Sequence, residues 1–287
     1  MENKPDISVV LGSKNRKNLI KATIESIRNN GFNGKIEIIV IDGGSNDGTC
    51  NWLAQQKDVF TIVQPNYKTK DNDGISILAH SWGNFMNIAF KQAQADWIVM
   101  VSDDLLLDKG CLQKGYDFLT QKVNAGEKVG GGAFFFREYP RHDYYRIINL
   151  PGDNININHG FYNKKALEDI NYIDEKTFNF YCADGDLSLR LELNGWRIYP
   201  LENCIAEHLV HLPKFTRKKE QKVSPITERD LARFFSKYNY LGEPRNEVTI
   251  LKGVAPGVID ISPFWKYALK NCVFGKLLKI YDGRKGK

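Results

Sequence analysis

Long apolar runs are missing from this 287-residue chain. Each hydrophobic stretch meets Lys, Asp or Gly before it reaches the ~18 residues that a membrane-spanning helix needs, which argues against an integral membrane protein. The N-terminus, MENKPDISVV, lacks the charged-then-apolar layout of a secretory leader. Cysteine is sparse. Cys50, Cys111, Cys182, Cys204 and Cys272 are an odd number, far apart, with no Cys-x-x-Cys pair. That excludes a disulfide framework and fits reduced thiols in the cytoplasm. A chain of this size buries enough surface to need no metal or disulfide staple. A basic body is also lacking. The formal net charge is +6, but residues 264–287 hold seven Lys and Arg against Asp282 alone, so the remainder balances. Nucleic acid is therefore not an expected partner. Two nucleotide signatures are absent as well. The first strand is followed by Gly12-Ser-Lys-Asn-Arg16, not Gly-x-Gly-x-x-Gly. Gly43 and Gly48 have P-loop spacing, but Thr49 and Cys50 stand where Lys and Ser/Thr belong.

What is present in the first hundred residues is an alternation of strand and helix signals. Apolar runs predict strands over 7–11, 36–41, 59–63 and 97–101, with helical spacing over 19–28, 49–56 and 82–95. Such alternation means βαβ units and a parallel sheet. A polar loop is expected over 65–74. Further on, the patterns predict strands over 130–137, 144–150, 196–199 and 205–210, an Asn-rich loop over 152–159, and an amphipathic helix over 183–194 ended by Gly195. Residues 212–222 read as a basic linker, 227–240 as a helix and 262–281 as a basic amphipathic helix. The main boundary is expected near 212.

In an open parallel sheet, ligands bind beyond the carboxyl ends of the strands. Three polar clusters fall there: Gly12–Arg16, Asp42–Thr49 and Ser102-Asp103-Asp104. Adjacent carboxylates at a buried strand end repel unless a cation sits beside them. With a phosphorylated ligand they form a hard, oxygen-rich site for Mg²⁺ or Mn²⁺. The simpler alternatives stay open. Asp42–Thr49 is also what an Asx-type turn with a helix N-cap looks like. Asp184 and Asp186 are also acids that favour a helix N-terminus. Cys204, His208 and His211 lack a fourth ligand at zinc spacing.

Four segments carry a resemblance: Ile7-Ser-Val-Val-Leu11 with Asn15-Arg16; Ile39-Val-Ile-Asp-Gly-Gly-Ser-Asn-Asp-Gly-Thr49; Ala95-Asp-Trp-Ile-Val-Met-Val-Ser-Asp-Asp104; and Ala183-Asp-Gly-Asp-Leu-Ser-Leu-Arg-Leu-Glu-Leu-Asn-Gly-Trp-Arg-Ile198. In this order and spacing, over roughly 5–210, the chain resembles an inverting family-2 glycosyltransferase of the GT-A fold. The resemblance implies an α/β fold with a mostly parallel central sheet flanked by helices. Residues 1–104 would form a Rossmann-like nucleotide-sugar half and 105–212 an acceptor half, with 213–287 a helical basic extension. It implies a nucleotide-diphosphate sugar as donor, a UDP-sugar favoured. Gly12, Ser13 and Arg16 would lie near the nucleotide, Asp42 on the nucleobase, and Ser102 and Asp103 on the ribose or around the metal. Asp104 would ligate Mn²⁺ or Mg²⁺, with His208, or alternatively His211, completing its shell. Asp184 would be the general base. Three departures stand out: Ser102 replaces the first acid of the metal motif, Ala183 replaces a Glu, and Phe85-Met86-Asn87 lacks an expected Arg. A nearby base, among Lys68, Lys70 and His80 in the preceding loop, could replace that charge.

On the acceptor side, Asp186, Trp196 and Tyr139 are candidate contacts, and Phe134-Phe135-Phe136 is either aromatic acceptor surface or core. The expected acceptor is a glycan or lipid-linked hydroxyl in surface polysaccharide or glycan biosynthesis. The basic stretch 264–287 is a candidate for an anionic membrane surface. That would place a cytoplasmic protein on the inner face of a membrane, unless the helix docks on the body. The competing functions are a nucleotidyltransferase and a non-catalytic nucleotide-sugar or glycan-binding module.

Overall fold

A computed structural model describes residues 4–209 and 224–262. The expected linker over 212–222, the alternate His211 and the basic stretch 264–287 lie outside the described residues.

The chain begins as expected. β1 (Ile7–Ser13), α1 (Lys17–Arg28), β2 (Ile36–Asp42), α2 (Thr49–Leu53) and β3 (Val59–Val63) alternate, followed by a small hairpin of β4 (Lys68–Lys70) and β5 (Ser76–Leu78). The hairpin occupies most of the stretch expected as loop. Next come α3 (Trp82–Gln92), β6 (Trp97–Met100), β7 (Leu105–Leu107), α4 (Cys111–Asn124), β8 (Val129–Glu138) and β9 (Arg146–Leu150). β10 (Asn154–Ile155), β11 (Gly160–Asn163), α5 (Lys164–Asp169), α6 (Ala183–Leu193), β12 (Arg197–His208), α7 (Pro225–Tyr238) and β13 (Val248–Ile250) complete the order.

One sheet runs β10-β9-β8-β11-β6-β1-β2-β3, with β12 joining β7 and β8 and with β13 on β9. β1 lies parallel to both β2 and β6, and β2 lies parallel to β3. The second half is mixed. β11 is antiparallel to β6 and β8, while β12 is parallel to β8. The strands read as continuous apolar runs because both faces are covered. Val9 and Leu11 of β1 and Ile38 and Val40 of β2 face α1, packing with Ile20, Ile24 and Ile27. Val10, Ile39 and Ile41 face α3, packing with Met86, Ala89 and Phe90. The three consecutive phenylalanines divide in the same way. Phe135 belongs to one core and Phe134 and Phe136 to the other, so they are core and not acceptor surface.

α4 and β11 were not legible as elements. α4 is interrupted in pattern by Gly115, yet a Cβ there would meet Phe161 at 2.5 Å, so the glycine lets the helix lie close on β11. β11 starts at Gly160, whose φ of +150° and whose approach to the Gly132 carbonyl leave no room for a side chain.

The boundary expected at 212 does not separate two cores. Phe234 and Tyr238 of α7 and Ile259 pack with Ala183, Leu187 and Leu150, and β13 adds to the sheet at β9. This also explains α6. The spacing predicts an amphipathic helix, but Ala183, Gly185, Asp186, Leu187, Ser188, Leu189 and Leu191 are all buried. α7 covers the face that would have met water.

Candidate active site

The three polar clusters do meet at one sheet edge. β1 and β2 end in register at Ser13 and Asp42, and the Gly43 N–H donates to the Ser13 carbonyl at 2.8 Å. Ser13 Oγ donates to Asp103 Oδ2 at 2.7 Å. Arg16, just past β1, reaches both acids: Nη1 to Asp103 Oδ1 at 2.8 Å and Nη2 to Asp104 Oδ2 at 2.5 Å. The adjacent carboxylates are almost fully buried, and this guanidinium is the cation that lets them sit together.

His208 arrives from 104 positions away for a simple reason. β12 runs antiparallel to β7 with His208 opposite Leu105, and the Leu209 N–H donates to the Asp104 carbonyl at 3.0 Å. His208 Nε2 stands 3.2 Å from Asp104 Oδ1. Burial opposes the charge of Asp104, but the His208 imidazole and the Arg16 guanidinium outweigh it and hold this carboxyl well below its ordinary range. Asp103 goes the other way. Burial, with the neighbouring Asp104 charge adding and Arg16 opposing, pushes it up to about 7.

Asp42 takes a different place from the one expected. It is fully buried. Its Oδ1 accepts from the Gly44 and Ser45 N–H groups at 2.9 and 2.7 Å, and its Oδ2 from Ser45 Oγ at 2.6 Å. The carboxylate is thus spent on its own turn, as the Asx-type alternative has it, and a direct bond to a base would have to displace one of these. Gly12 is half-buried, a Cβ there meeting the Ile41 carbonyl at 4.0 Å, and Ser102 is half-buried beside the acids.

From Asp104 a chain of contacts leads to Asp184. The His208 ring lies 4.8 Å from that of His159, and Phe136 packs edge-on against both imidazoles. His159 is buried, and burial followed by the nearby His208 keeps its imidazole well below the usual range, hence neutral. Its neighbour Asn158 donates through Nδ2 to Asp184 Oδ2 at 2.6 Å, and Asn156 does the same at 3.2 Å. Asp184, at the start of α6, is half-buried. Burial raises its pKa against the opposing hydrogen bonds of Asn156, the local backbone N–H groups and Asn158.

The expected acceptor contacts fare unevenly. Tyr139 is beside the site, its N–H donating to the His208 carbonyl at 2.9 Å. Asp186 is fully buried and committed: Arg190 at 2.8 Å, Lys237 at 2.6 Å and the Tyr238 hydroxyl at 2.7 Å all reach it. It ties α6 to α7 and has no surface to offer an acceptor. Trp196 is buried at the opposite end of the twelve-residue β12 from His208, with Lys128 Nζ 4.6 Å from its ring centre. Both expectations are corrected by burial and topology.

His159, Asn156, Asn158 and Asp230 were missed. The signal for the two asparagines was present: Asn154-Ile-Asn-Ile-Asn158 alternates with a period of two, the mark of an extended segment with one polar face, and His159 falls on its isoleucine side. Of the bases expected to replace the Arg absent from Phe85-Met86-Asn87, Lys68 and Lys70 of the 65–81 stretch are exposed on β4. Asp71 there pairs with Arg229 of α7, and His80 lies against Gln64 and Phe85.

The donor atoms suit a hard divalent cation. Asp104 Oδ1 is buried without a well-aligned hydrogen bond, and an imidazole nitrogen is beside it. Among the described residues no cluster of three or more His, Cys, Asp or Glu side chains is arranged to hold a metal. A cation here would take further ligands from outside the chain, as Mg²⁺ does from substrate phosphates. Among the described residues, no helix is long and apolar enough to cross a membrane.

Residues 8–181 match the family model for glycosyl transferase family 2. A curated relative, the GalNAc(5)-diNAcBac-PP-undecaprenol beta-1,3-glucosyltransferase of Campylobacter jejuni, is 25% identical over 274 residues, covering 81% of this chain and 83% of its own. Among solved structures, the mannosyltransferase PcManGT of Pyrobaculum calidifontis, in complex with GDP-Man and Mn²⁺, superposes with a TM-score of 0.57 at 15% identity, over 93% of this chain and 70% of that one. TarS of S. aureus superposes at 0.52 and 18% identity over 71% of this chain, which spans only 37% of TarS. Its 1–349 fragment in complex with UDP-GlcNAc gives 0.52 over 82% of this chain and 74% of that one. At these identities the structures establish the fold.

Proposed function

The chain belongs to glycosyl transferase family 2, and from that premise we propose that it moves a sugar from a nucleotide-diphosphate sugar to the hydroxyl of a glycan or lipid-linked acceptor, with inversion. The observation that carries this reading is the continuous path of contacts from the Ser13–Arg16–Asp103–Asp104 cluster through His208, His159 and Asn158 to Asp184. That path links the cluster proposed to hold the diphosphate to the acid proposed to take the proton.

The donor lies along Gly12, Ser13, Arg16, Ser102 and Asp103, while Asp42 acts indirectly, holding the turn that follows β2. A UDP-sugar is the favoured donor, and the S. aureus neighbour solved with UDP-GlcNAc supports that choice. Asp184 accepts the proton of the attacking hydroxyl. The acceptor oxygen forms its bond to the anomeric carbon as the bond to the diphosphate breaks. The nucleoside diphosphate leaves with the electron pair. One displacement from the face opposite the leaving group inverts the configuration. Asp104 and His208 would hold a divalent cation, which when bound offsets charge developing on the leaving diphosphate. The C. jejuni relative, named for an undecaprenol-linked glycan, supports a lipid-linked acceptor. The basic residues of 264–287 would bring the protein to an anionic membrane surface.

The test is a thermal-shift panel of UDP-, GDP- and dTDP-sugars with and without Mn²⁺. One nucleotide class is expected to raise the melting temperature, and more so with Mn²⁺. If no sugar nucleotide moves it under either condition, the donor assignment fails.

A further inference from the structure

Two carboxamides converge on one oxygen of Asp184, and the surrounding bonds dictate which way each of them points. Asn156 Nδ2 lies 3.2 Å and Asn158 Nδ2 2.6 Å from Asp184 Oδ2. Asn156 is buried, and its Oδ1 faces Ser188 Oγ at 3.2 Å. That hydroxyl accepts from the Ile157 N–H at 3.0 Å, leaving its proton for the amide oxygen or for the Asp184 carbonyl 3.0 Å away. Asn158 has no such partner: its Oδ1 is buried without a hydrogen bond. Turning the amide over would set that oxygen against the carboxylate, so the arrangement spends the whole of Asn158 on Asp184.

We propose that Asn156 and Asn158 are positioning residues for the base, which hold Asp184 in one rotamer and ionised at neutral pH in spite of its burial. The inference rests on the reading of Asp184 as the base. Beside the backbone N–H groups of Asp184 and Gly185, the other groups around that carboxylate do not do this work. Tyr162 of β11 gives its hydroxyl to the Ile157 carbonyl at 2.8 Å. The Cys182 thiol, pushed up by burial and by Asp184, Asp230 and Asp186, stays neutral. Asp186 on the same helix is neutralised by Arg190 and Lys237, and Asp230 of α7 is bound to backbone N–H groups. His159 is neutral. No cation pairs with Asp184 among the described residues, so amide dipoles are the compensation the chain provides.

The experiment is a carboxyl-detected NMR titration of the full chain labelled with ¹³C at Asp side chains, the Asp184 resonance being assigned by its loss in Asp184→Asn. Asn158→Ala is expected to raise the Asp184 pKa by about one unit, since a hydrogen bond to a charged group is worth about 1.5–3 kcal/mol and one unit is 1.36. Asn158→Ser, which keeps a donor at that position, should recover about half of the shift. In parallel, nucleotide release from the sugar nucleotide selected by thermal shift should fall at pH 6 in Asn158→Ala, by less than the roughly tenfold ceiling that one unit sets, and approach the parent rate at pH 9. A pKa that moves by less than about 0.3 unit in both variants overturns the inference, as does a loss of rate that is equal at both pH values. The two readings fail differently. If Asp184→Asn still transfers sugar, the base assignment is wrong whatever the titration shows. If Asp184→Asn is inactive while the Asn158 variants leave the titration unmoved, only the positioning role falls.

Discussion

Asp230 on α7 holds the backbone of Tyr181, three residues before Asp184: its Oδ2 accepts from the Tyr181 N–H at 3.0 Å. The same carboxylate accepts from the N–H groups of Phe180 at 2.9 Å and Asn179 at 3.3 Å. The clamp is reciprocal. α7 gives a buried acid to the loop ahead of α6, and α6 gives its buried Asp186 to Lys237 and Tyr238 of α7. A third tie, Arg229 to Asp71, fastens α7 to the β4–β5 hairpin. The segment after residue 224 therefore sets the entry to the helix that carries Asp184.

Asp230→Ala should be costly for that reason. It removes three part-buried hydrogen bonds to a charged acceptor, each worth about 1.5–3 kcal/mol at most. The expected result is a melting temperature lowered by roughly 5–10 °C, at the 2–4 °C per kcal/mol typical of chains near this size. Turnover should fall more than affinity for the sugar nucleotide, because the donor cluster lies on other elements. Calorimetric donor binding beside a rate assay separates the two, and an equal loss in both would show that the loop does not govern Asp184.

Asp184→Asn is expected to abolish transfer without lowering the melting temperature. The sign follows from burial. With its folded pKa raised above an unfolded value of about 3.9, the native state binds the proton more tightly, so stability declines as pH rises through that window and stays lower above it. Removing the charge removes that cost at neutral pH, and an asparagine oxygen can still accept from Asn156 and Asn158. In the parent enzyme the same shift places the acid limb of kcat/KM above the ordinary carboxylate range, activity disappearing as pH falls through it. A variant that melts well below the parent would show Asp184 to be a structural acid.

The contrast between these two acids shows what the sequence holds and what it hides. Strands buried on both faces announce themselves as apolar runs, and an acid directly after such a run has to lie at the sheet's carboxyl edge. Asp103 and Asp104 were legible on that ground. Asp42 sits at an equivalent strand end, but the sequence does not say whether its oxygens turn outward or into Gly44 and Ser45. Asp186 resembles any acid near a helix start until α7 covers it. Trp196 and His208 flank the same strand, and only the pairing of β12 with β7 and β8 decides which of them meets Asp104. Asn156 and Asn158 were passed over because composition there favours a loop; 156–159 is irregular as expected, and only the tertiary placement of that loop against the start of α6 brings both amides to Asp184.

Arg16→Met should destabilise the protein and make it more responsive to metal. Asp103 and Asp104 would stay buried side by side without their guanidinium. The expected loss is about 2 kcal/mol, below the 3–5 of a fully buried pair, because Arg16 keeps 37% of its side chain in water. A divalent cation can partly replace the missing charge. Mn²⁺ should therefore raise the melting temperature of Arg16→Met more than that of the parent. Equal Mn²⁺ shifts would mean that the guanidinium and the cation do not answer to the same carboxylates.

Next to His208, Glu207 is fully buried against an almost equally dry Arg137, with N···O 2.9 Å, and it accepts the Tyr145 hydroxyl at 2.6 Å. Solvent screens neither charge, so removing one leaves the other stranded. Glu207→Leu is expected to cost about 3–5 kcal/mol, roughly 6–20 °C in melting temperature. Arg137→Met combined with Glu207→Leu removes both desolvation penalties and should regain most of that loss, leaving mainly the unpaired Tyr145 hydroxyl. Because Glu207 also fixes the end of β12 next to His208, the single variant should weaken any Mn²⁺-dependent thermal shift, and the double variant should restore it. If the double variant melts no higher than the single one, the pair acts through packing and not through charge.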